Sequence, residues 1–178
     1  MPAPIVLLTH TDADREVCYP APALAALRGL AEVRLNPGSV ALHGDALILA
    51  AAGAQIIVAD RRTAGEAALF AASTALVAFV RGAADIGDVD VPGASAMGVL
   101  VTQASAGLAQ DGDADPLETT RQVAAILQGR VPVGAVNGEA AHRLRRFAPK
   151  LAPEVGGTEG PEPTRYGDWQ HKGRVTDF

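Results

Sequence analysis

Short apolar runs alternate with segments of helical spacing along the first hundred residues. Runs rich in Val, Ile and Leu are typical of strands buried on both faces of a parallel sheet. Strands are predicted at residues 4–9, 31–35, 55–60, 76–80 and 98–102. Apolar residues three to four positions apart favour helices between them. These helices are predicted at residues 20–30, 39–52 and 64–72, with a short helix or turn at 92–97.

This alternation of strands and helices predicts an α/β fold. Right-handed crossovers then allow a flavodoxin-like or Rossmann-like parallel sheet of about five strands, with helices on both faces. The run at 31–35 alternates apolar and polar residues, as a strand at or near a sheet edge does. Ser39 and Thr63 are the predicted N-caps of the helices that follow them, and Gly53 is placed to end the first of these helices.

The second part of the chain is less regular. Residues 103–115 are small and acidic and predict a linker or an exposed loop. A helix follows at 116–128, with Asp115 as its N-cap, and then an extended arm at 130–137. Residues 140–147 predict a basic helical turn, and the chain beyond is rich in Gly and Pro. We expect a largely irregular C-terminal tail there, because such a composition buries little apolar surface.

The stretch LVAFVRGAADIGDVDV, residues 76–91, is the predicted centre of the first domain. Ligands collect at the carboxyl ends of parallel strands, and a loop of successive N–H groups can hold a small anion. A plain connection between strand and helix is the alternative. Three other features each have a functional and a simpler structural interpretation, and the structural one is preferred. His10 is a catalytic base or a solvated loop residue, and Cys18 is a nucleophile or a buried filler. The arginines at 61–62 bind an acidic ligand or form a solvated pair.

Composition excludes several classes of protein. The chain has 178 residues, 48% of them hydrophobic, and a net charge of −5 without a basic stripe for nucleic acid. Its single cysteine excludes an internal disulfide framework. The longest apolar stretch, 46–59, is interrupted by Gly53 and Gln55 and is too short to cross a bilayer. We expect a soluble, cytoplasmic protein with no metal site.

Residues 22–107 resemble the N-terminal substrate domain of the D-isomer-specific 2-hydroxyacid dehydrogenases, an oxidoreductase family. The resemblance rests on AQIIVADRRTAGEAALF and on LVAFVRGAADIGDVDVPGASAMGVLVTQASAG. LETTRQVAAILQGRVPVGAVN, residues 117–137, looks like the return of that family's chain from its cofactor domain. The resemblance implies a flavodoxin-like fold. It also implies a loop that holds the substrate carboxylate through backbone N–H groups, at Arg81, Gly82, Ala83 and Ala84.

The departure from that family is large. A complete NAD-binding domain would lie where this chain has only residues 108–116, and no Gly-x-Gly-x-x-Gly fingerprint follows any predicted strand. The family's catalytic His, its Glu partner and its substrate-binding Arg belong to the missing part. The predicted first domain, 1–147, is therefore a truncated substrate domain with no catalytic residue. NAD is implied by family resemblance only.

The last 25 residues, EVGGTEGPEPTRYGDWQHKGRVTDF, resemble the C-terminal signature of succinate dehydrogenase assembly factor 4. Members of that family bind the flavinylated subunit of succinate dehydrogenase. The resemblance predicts a second unit, 148–178, that binds this partner. The predicted partner-binding residues are Gly160, Pro161, Pro163, Arg165, Tyr166, Gly167, Asp168, Trp169, Lys172, Gly173, Arg174, Asp177 and Phe178.

Three interpretations of the whole chain remain open. The preferred one is a binding protein, in which a pared-down dehydrogenase domain carries an assembly-factor tail. The alternative is an oxidoreductase-family protein that binds a small 2-oxo or 2-hydroxy acid and acts only with a cofactor domain from another chain. The third is a folded remnant without activity. Loss of the cofactor domain would also expose apolar surface, so self-association into a homo-oligomer is a further expectation.

Overall fold

The strands and helices are those of a computed structural model, which describes residues 3–105 and 115–149. The strands of the described chain are β1 Ile5–Leu8, β2 Glu32–Leu35, β3 Ile56–Ala59, β4 Ala78–Arg81 and β5 Leu100–Thr102. The α-helices are α1 Asp12–Cys18, α2 Ala21–Arg28, α3 Gly44–Ala50, α4 Ala67–Ala72, α5 Val91–Ala96 and α6 Pro116–Leu127. Two 3-10 helices follow, Gly138–Ala140 and His142–Arg146.

The five strands form one parallel sheet in the order β2-β1-β3-β4-β5. This is the flavodoxin-like order, so the predicted α/β fold is confirmed. The chain moves from β1 to β2 in one direction and then crosses back to β3 on the other side of β1. The carboxyl ends of β1 and β3 therefore form the topological switch point, where open sheets of this type offer a crevice.

Two apolar layers cover the sheet, one on each face. Alternate residues of a strand point to opposite faces, so β3 sends Ile56 and Val58 into one layer and Ile57 into the other. Helices α2 and α6 cover the first face, and α3, α4 and α5 cover the second. In the second layer Phe70 and Phe79 pack edge to face, with ring centroids 5.8 Å apart. Burial on both faces explains why the strands are continuous apolar runs.

Helix α3 begins later than predicted. It starts at Gly44 after His43, and Ser39 is not its N-cap. The reason is the buried Asn36, whose amide donates to the Val40 carbonyl at 2.9 Å and whose Oδ1 accepts from the Gly38 N–H at 3.1 Å. These bonds hold the preceding segment as a turn, so the helix can begin only beyond it.

Two further local predictions are wrong. Helix α4 begins at residue 67 instead of 64, because the Thr63 side chain is fully buried in a hydrogen-bond network and caps nothing. The segment after β1 was predicted as a loop, but it contains α1. There Thr11 accepts a hydrogen bond from the Asp14 N–H as the N-cap. A helix of seven residues with no buried side chain leaves no apolar periodicity in the sequence.

The last described segment belongs to the folded domain. The predicted arm runs along the outer edge of β5, where the Asn137 Oδ1 accepts from the Val101 N–H at 2.7 Å. Beyond it, Ala141 and Leu144 are each 5% exposed. Arg143 donates to the carbonyls of Ser73 and Leu76, at 2.9 Å each. The predicted tail, 148–178, lies outside the described residues except for 148–149, as does most of the gap at 108–116.

Within 3–105 and 115–149, none of the helices combines the length and the apolar character that crossing a membrane would require. The predicted cytoplasmic location stays a prediction.

Candidate functional site at the carboxyl edge of the sheet

A ring of buried hydrogen bonds lies at the switch point. The Asp60 N–H donates to Thr9 Oγ1 at 3.0 Å, and the Thr63 hydroxyl donates to Asp60 Oδ1 at 3.0 Å. The two threonine oxygens are 2.7 Å apart. Since the Thr63 proton is used on the carboxylate, the Thr9 hydroxyl must donate to Thr63, and this closes the ring. Each of the three residues is at most 4% exposed, so the ring is a rigid floor for the crevice.

Arg81 joins two loops at this edge. Its guanidinium is 3% exposed and donates to the carbonyls of Asp60 and Thr63 at 2.9 and 2.6 Å. Its Nη2 group also lies 2.7 and 2.9 Å from the two oxygens of the Asp88 carboxylate. Further donors reach the carbonyls of Arg61 and Asp85. The side chain of Arg81 is therefore fully used in holding the β3 and β4 loops together, and its part in any ligand site is to position the loop.

The loop after β4 offers fewer N–H groups than its sequence suggests. The Gly82 N–H donates to the Ala59 carbonyl at 2.8 Å and so is not available to a ligand. A Cβ at Gly82 would lie 3.0 Å from that carbonyl oxygen and 3.9 Å from His10 Cε1, so close packing explains this glycine. Ala83 is buried and Ala84 is exposed. The substrate-binding role of these residues stays a prediction, now confined to the N–H groups of Ala83 and Ala84.

A small cavity of about 70 Å³ lies beside this loop, lined by His10, Asp14, Cys18, Asp60, Arg61 and Arg62. The prediction of a solvated His10 is wrong, because this side chain is 3% exposed and packs edge-on against Tyr19, with ring centroids 5.0 Å apart. Cys18 is partly buried. A polar residue directly after a buried strand was the only sequence signal for this cavity, and it does not reveal which helix covers the residue.

Charge in the cavity is balanced around Arg62. Its guanidinium donates to the Asp14 carboxylate and, at 3.3 Å, to Asp60 Oδ2. Desolvation lowers the pKa of Arg62, but the attraction of these two carboxylates outweighs it and raises the pKa overall. The pKa of Asp14 is lowered, chiefly by the hydrogen bond from the Thr11 hydroxyl and then by Arg62, against desolvation. Arg62 is thus half exposed and ion-paired, and the prediction of a simply solvated arginine pair does not describe it.

The described ranges contain no group of three His, Cys, Asp or Glu side chains that could hold a metal ion. The glycine fingerprint of a dinucleotide site is also missing after β1, β3 and β4. β1, β3 and β4 are followed by THTDAD, DRRTAG and GAADIG, none of which is the glycine fingerprint that lets a backbone approach a pyrophosphate.

Comparisons by sequence point to the end of the chain. Residues 135–178, about a quarter of the chain, match the model of a family described as "Protein of unknown function (DUF1674)". A UPF0369 protein of Rickettsia felis is 80% identical over 25 residues, which are 14% of this chain and 32% of that protein. A UPF0369 protein of Rickettsia conorii is also 80% identical over 25 residues, 27% of its length. The chain spans about a third of the length of the curated relatives it matches.

Among the solved structures similar to this fold are D-isomer-specific 2-hydroxyacid dehydrogenases and their relatives. A glyoxylate reductase from Paecilomyes thermophila has a TM-score of 0.49 and 13% identity, over 83% of this chain and 54% of that one. NAD+-bound 3-phosphoglycerate dehydrogenase from Entamoeba histolytica has a TM-score of 0.47 and 14% identity, and the match covers 58% of this chain and 33% of that one. D-lactate dehydrogenase from Escherichia coli has a TM-score of 0.45 and 12% identity, and the match covers 56% of this chain and 30% of that one. At these values no functional residue is carried over from them.

The family match overlaps the folded domain. The family match begins at Ala135, which forms an isolated bridge with Thr102 at the end of β5. Residues 135–149 are therefore both part of that match and part of the α/β domain. Since the family is described as one of unknown function, the predicted binding of a partner by Gly160–Phe178 stays a prediction. These residues lie outside the part of the chain that the structure describes.

Proposed function

We propose that this protein is a binding protein, whose α/β domain carries a C-terminal segment that binds the flavinylated subunit of succinate dehydrogenase. The observation that carries the proposal is the signature in 154–178, with GPEPTRYGDW, KGR and the terminal DF. Trp169, Tyr166 and Arg165 lie together in it, and these residue types most often dominate interface energetics. The family match extends over the same residues to Phe178, which supports treating them as one unit with 135–149.

The end of the described chain and the candidate ligand site lie at opposite edges of the sheet. The described chain ends at Pro149, in a groove that also contacts Gln55 and Val77, the residues preceding β3 and β4. This is the amino edge of the parallel sheet. The candidate ligand site lies at the carboxyl edge, on the opposite side of the sheet.

The test is binding of the full chain to the purified flavinylated subunit. Ordering a Gly/Pro-rich segment costs about 1–2 kcal/mol per residue in backbone entropy, so a few anchors must offset that cost. We expect Trp169→Ala to weaken binding by about 2 kcal/mol, about thirtyfold in Kd, measured by calorimetry. The matched control is Glu159→Ala, just outside the predicted residues, with wild-type affinity expected. Equal capture by the Trp169→Ala chain would reject the proposal.

A second candidate function is weak binding of a small 2-oxo acid at the loop after β4. It is favoured by the position of Ala83 and Ala84 at the carboxyl edge, beside the switch point. We expect pyruvate or glyoxylate to bind with a Kd of about 1 mM, since only two backbone N–H groups are on offer. Shifts at Ala83 and Ala84 in an NMR titration would support it. Catalysis would further need a cofactor domain from another chain, so we expect no NADH oxidation by the chain alone.

A further inference from the structure

A second, larger cavity lies at the other end of the carboxyl edge. It has a volume of about 440 Å³ and lies between the end of β5, helix α6 and the arm that follows α6. Small-molecule sites are typically about 300–1,000 Å³, so this cavity is large enough for a ligand of modest size. No residue of the switch-point cavity takes part in it.

Glu118 on α6 is buried in the wall of this cavity. The residue is 8% exposed, and its Oε1 accepts from the Ser105 N–H at 3.0 Å and the Ser105 hydroxyl at 2.7 Å. Its Oε2 is also buried, yet no donor reaches it from residues 3–105 or 115–149. An unmatched carboxylate oxygen in a buried position is costly, and a donor supplied by a ligand would remove that cost.

The cavity also contains guanidinium groups. Arg121 lies three residues after Glu118, on the same side of α6, and is exposed. No ion pair of Arg121 with Glu118, or with any other carboxylate, is found in the described part of the chain. Arg130 lies on the arm side of the same cavity and donates to the Gln128 amide oxygen. The cavity therefore combines a buried acceptor with a cation that has no carboxylate partner among residues 3–105 and 115–149.

The third component is an apolar wall. Val131 and Val133 line the cavity and are 53% and 84% exposed, more than apolar residues of a folded domain usually are. The wall is nevertheless held in place, because the buried Gln122 amide donates to the Gln103 and Val133 carbonyls at 3.0 and 3.2 Å. Gln122 Oε1 accepts from the Thr102 hydroxyl at 2.8 Å, so this amide joins α6, β5 and the arm.

We propose that this cavity binds a free α-amino acid with an apolar side chain. The ammonium group donates to Glu118 Oε2, the carboxylate pairs with Arg121, and the side chain packs against Val131 and Val133. An α-amino acid carries its ammonium and carboxylate on one carbon, so both charges lie close together, as do side chains three residues apart on one helix face. The proposal concerns neither the C-terminal segment nor the loop after β4.

The test is calorimetric titration of the full chain with L-leucine and two analogues that each lack one charge. L-Leucinamide keeps the ammonium, and 4-methylpentanoate keeps the carboxylate. We expect leucine to bind at least about tenfold more tightly than either analogue. Arg121→Gln should weaken leucine binding about tenfold and leave leucinamide binding unchanged, whereas Glu118→Gln should weaken both.

Arg28→Gln is the control, since Arg28 is exposed on α2 and does not line the cavity. It should bind leucine as the wild type does. Arg121 is exposed, so its variant will fold even if Glu118→Gln does not. The proposal is overturned if leucine does not bind at about 10 mM. It is equally overturned if leucine and leucinamide bind alike, or if Arg121→Gln leaves leucine affinity unchanged.

Discussion

At the scale of single residues, the carboxyl edge is dominated by polar side chains whose bonds are internal. Arg81 is the clearest case, because an arginine at the end of a buried strand is normally expected to reach solvent or a ligand. Here it is 3% exposed and satisfies carbonyls on two loops as well as the Asp88 carboxylate. Its function is to hold in position the backbone on which any ligand would depend.

The first prediction at this scale concerns the stability supplied by Arg81. Arg81→Met should lower the free energy of unfolding by about 3–5 kcal/mol, because it leaves the buried carbonyls of Asp60 and Thr63 without donors. Urea unfolding followed by circular dichroism measures the change. Arg28→Met, at an exposed site on α2, should change it by less than about 0.5 kcal/mol. Equal losses in the two variants would show that the network at Arg81 contributes little.

At the scale of elements, α1 depends on its cap more than on packing. The helix has seven residues and no buried side chain, so apolar burial contributes little to it. Thr11 caps its first turn and also donates to the Asp14 carboxylate, which is in turn paired with Arg62 in the loop after β3. The ion pair between Asp14 and Arg62 therefore connects helix α1 to the loop after β3.

This arrangement predicts a pH dependence. Because the pKa of Asp14 is lowered in the folded state, its stabilising effect is present above the unfolded value of about 3.9 and is lost as the pH falls through the folded value. Asp14→Asn should cost at most about 1 kcal/mol at pH 7, after allowance for solvent screening. The difference from wild type should shrink below about pH 4.

Urea unfolding at pH 7 and below about pH 4 measures the difference in the free energy of unfolding between wild type and Asp14→Asn. Asp45→Asn is the matched control, since Asp45 also lies in the first turn of a helix and is exposed. A difference between wild type and Asp14→Asn that stayed constant with pH would mean that Asp14 acts through packing instead of charge.

At the scale of the whole molecule, the folded domain extends into the family match. The match begins at residue 135, and residues 135–149 pack as part of the domain. This segment covers the outer edge of β5 and buries Leu144, and its arginines bond to the loop between α4 and β4. An uncovered edge strand and an exposed apolar layer would result from its removal.

Truncation tests this boundary directly. The chain 1–149 should unfold cooperatively with a Tm within about 4 °C of the full chain, because the interactions described above are all retained. The chain 1–134 should lose its cooperative transition, as it lacks the cover of β5. Calorimetry measures both. A cooperative transition of 1–134 at the wild-type Tm would place the boundary at the start of the family match instead.

The sequence by itself determined the strands, the parallel α/β class and the cap of α6, because these follow from local composition. A doubly buried strand must be apolar at every position, and Asp115 before Pro116 caps a helix in almost any surroundings. The sequence could not determine that Thr63 joins Thr9 instead of capping α4, or that His10 is buried. Nor could it pair the unmatched Glu118 oxygen with Arg121 and an apolar wall. Those depend on which strand ends and helices meet in space, and only the tertiary structure decides that.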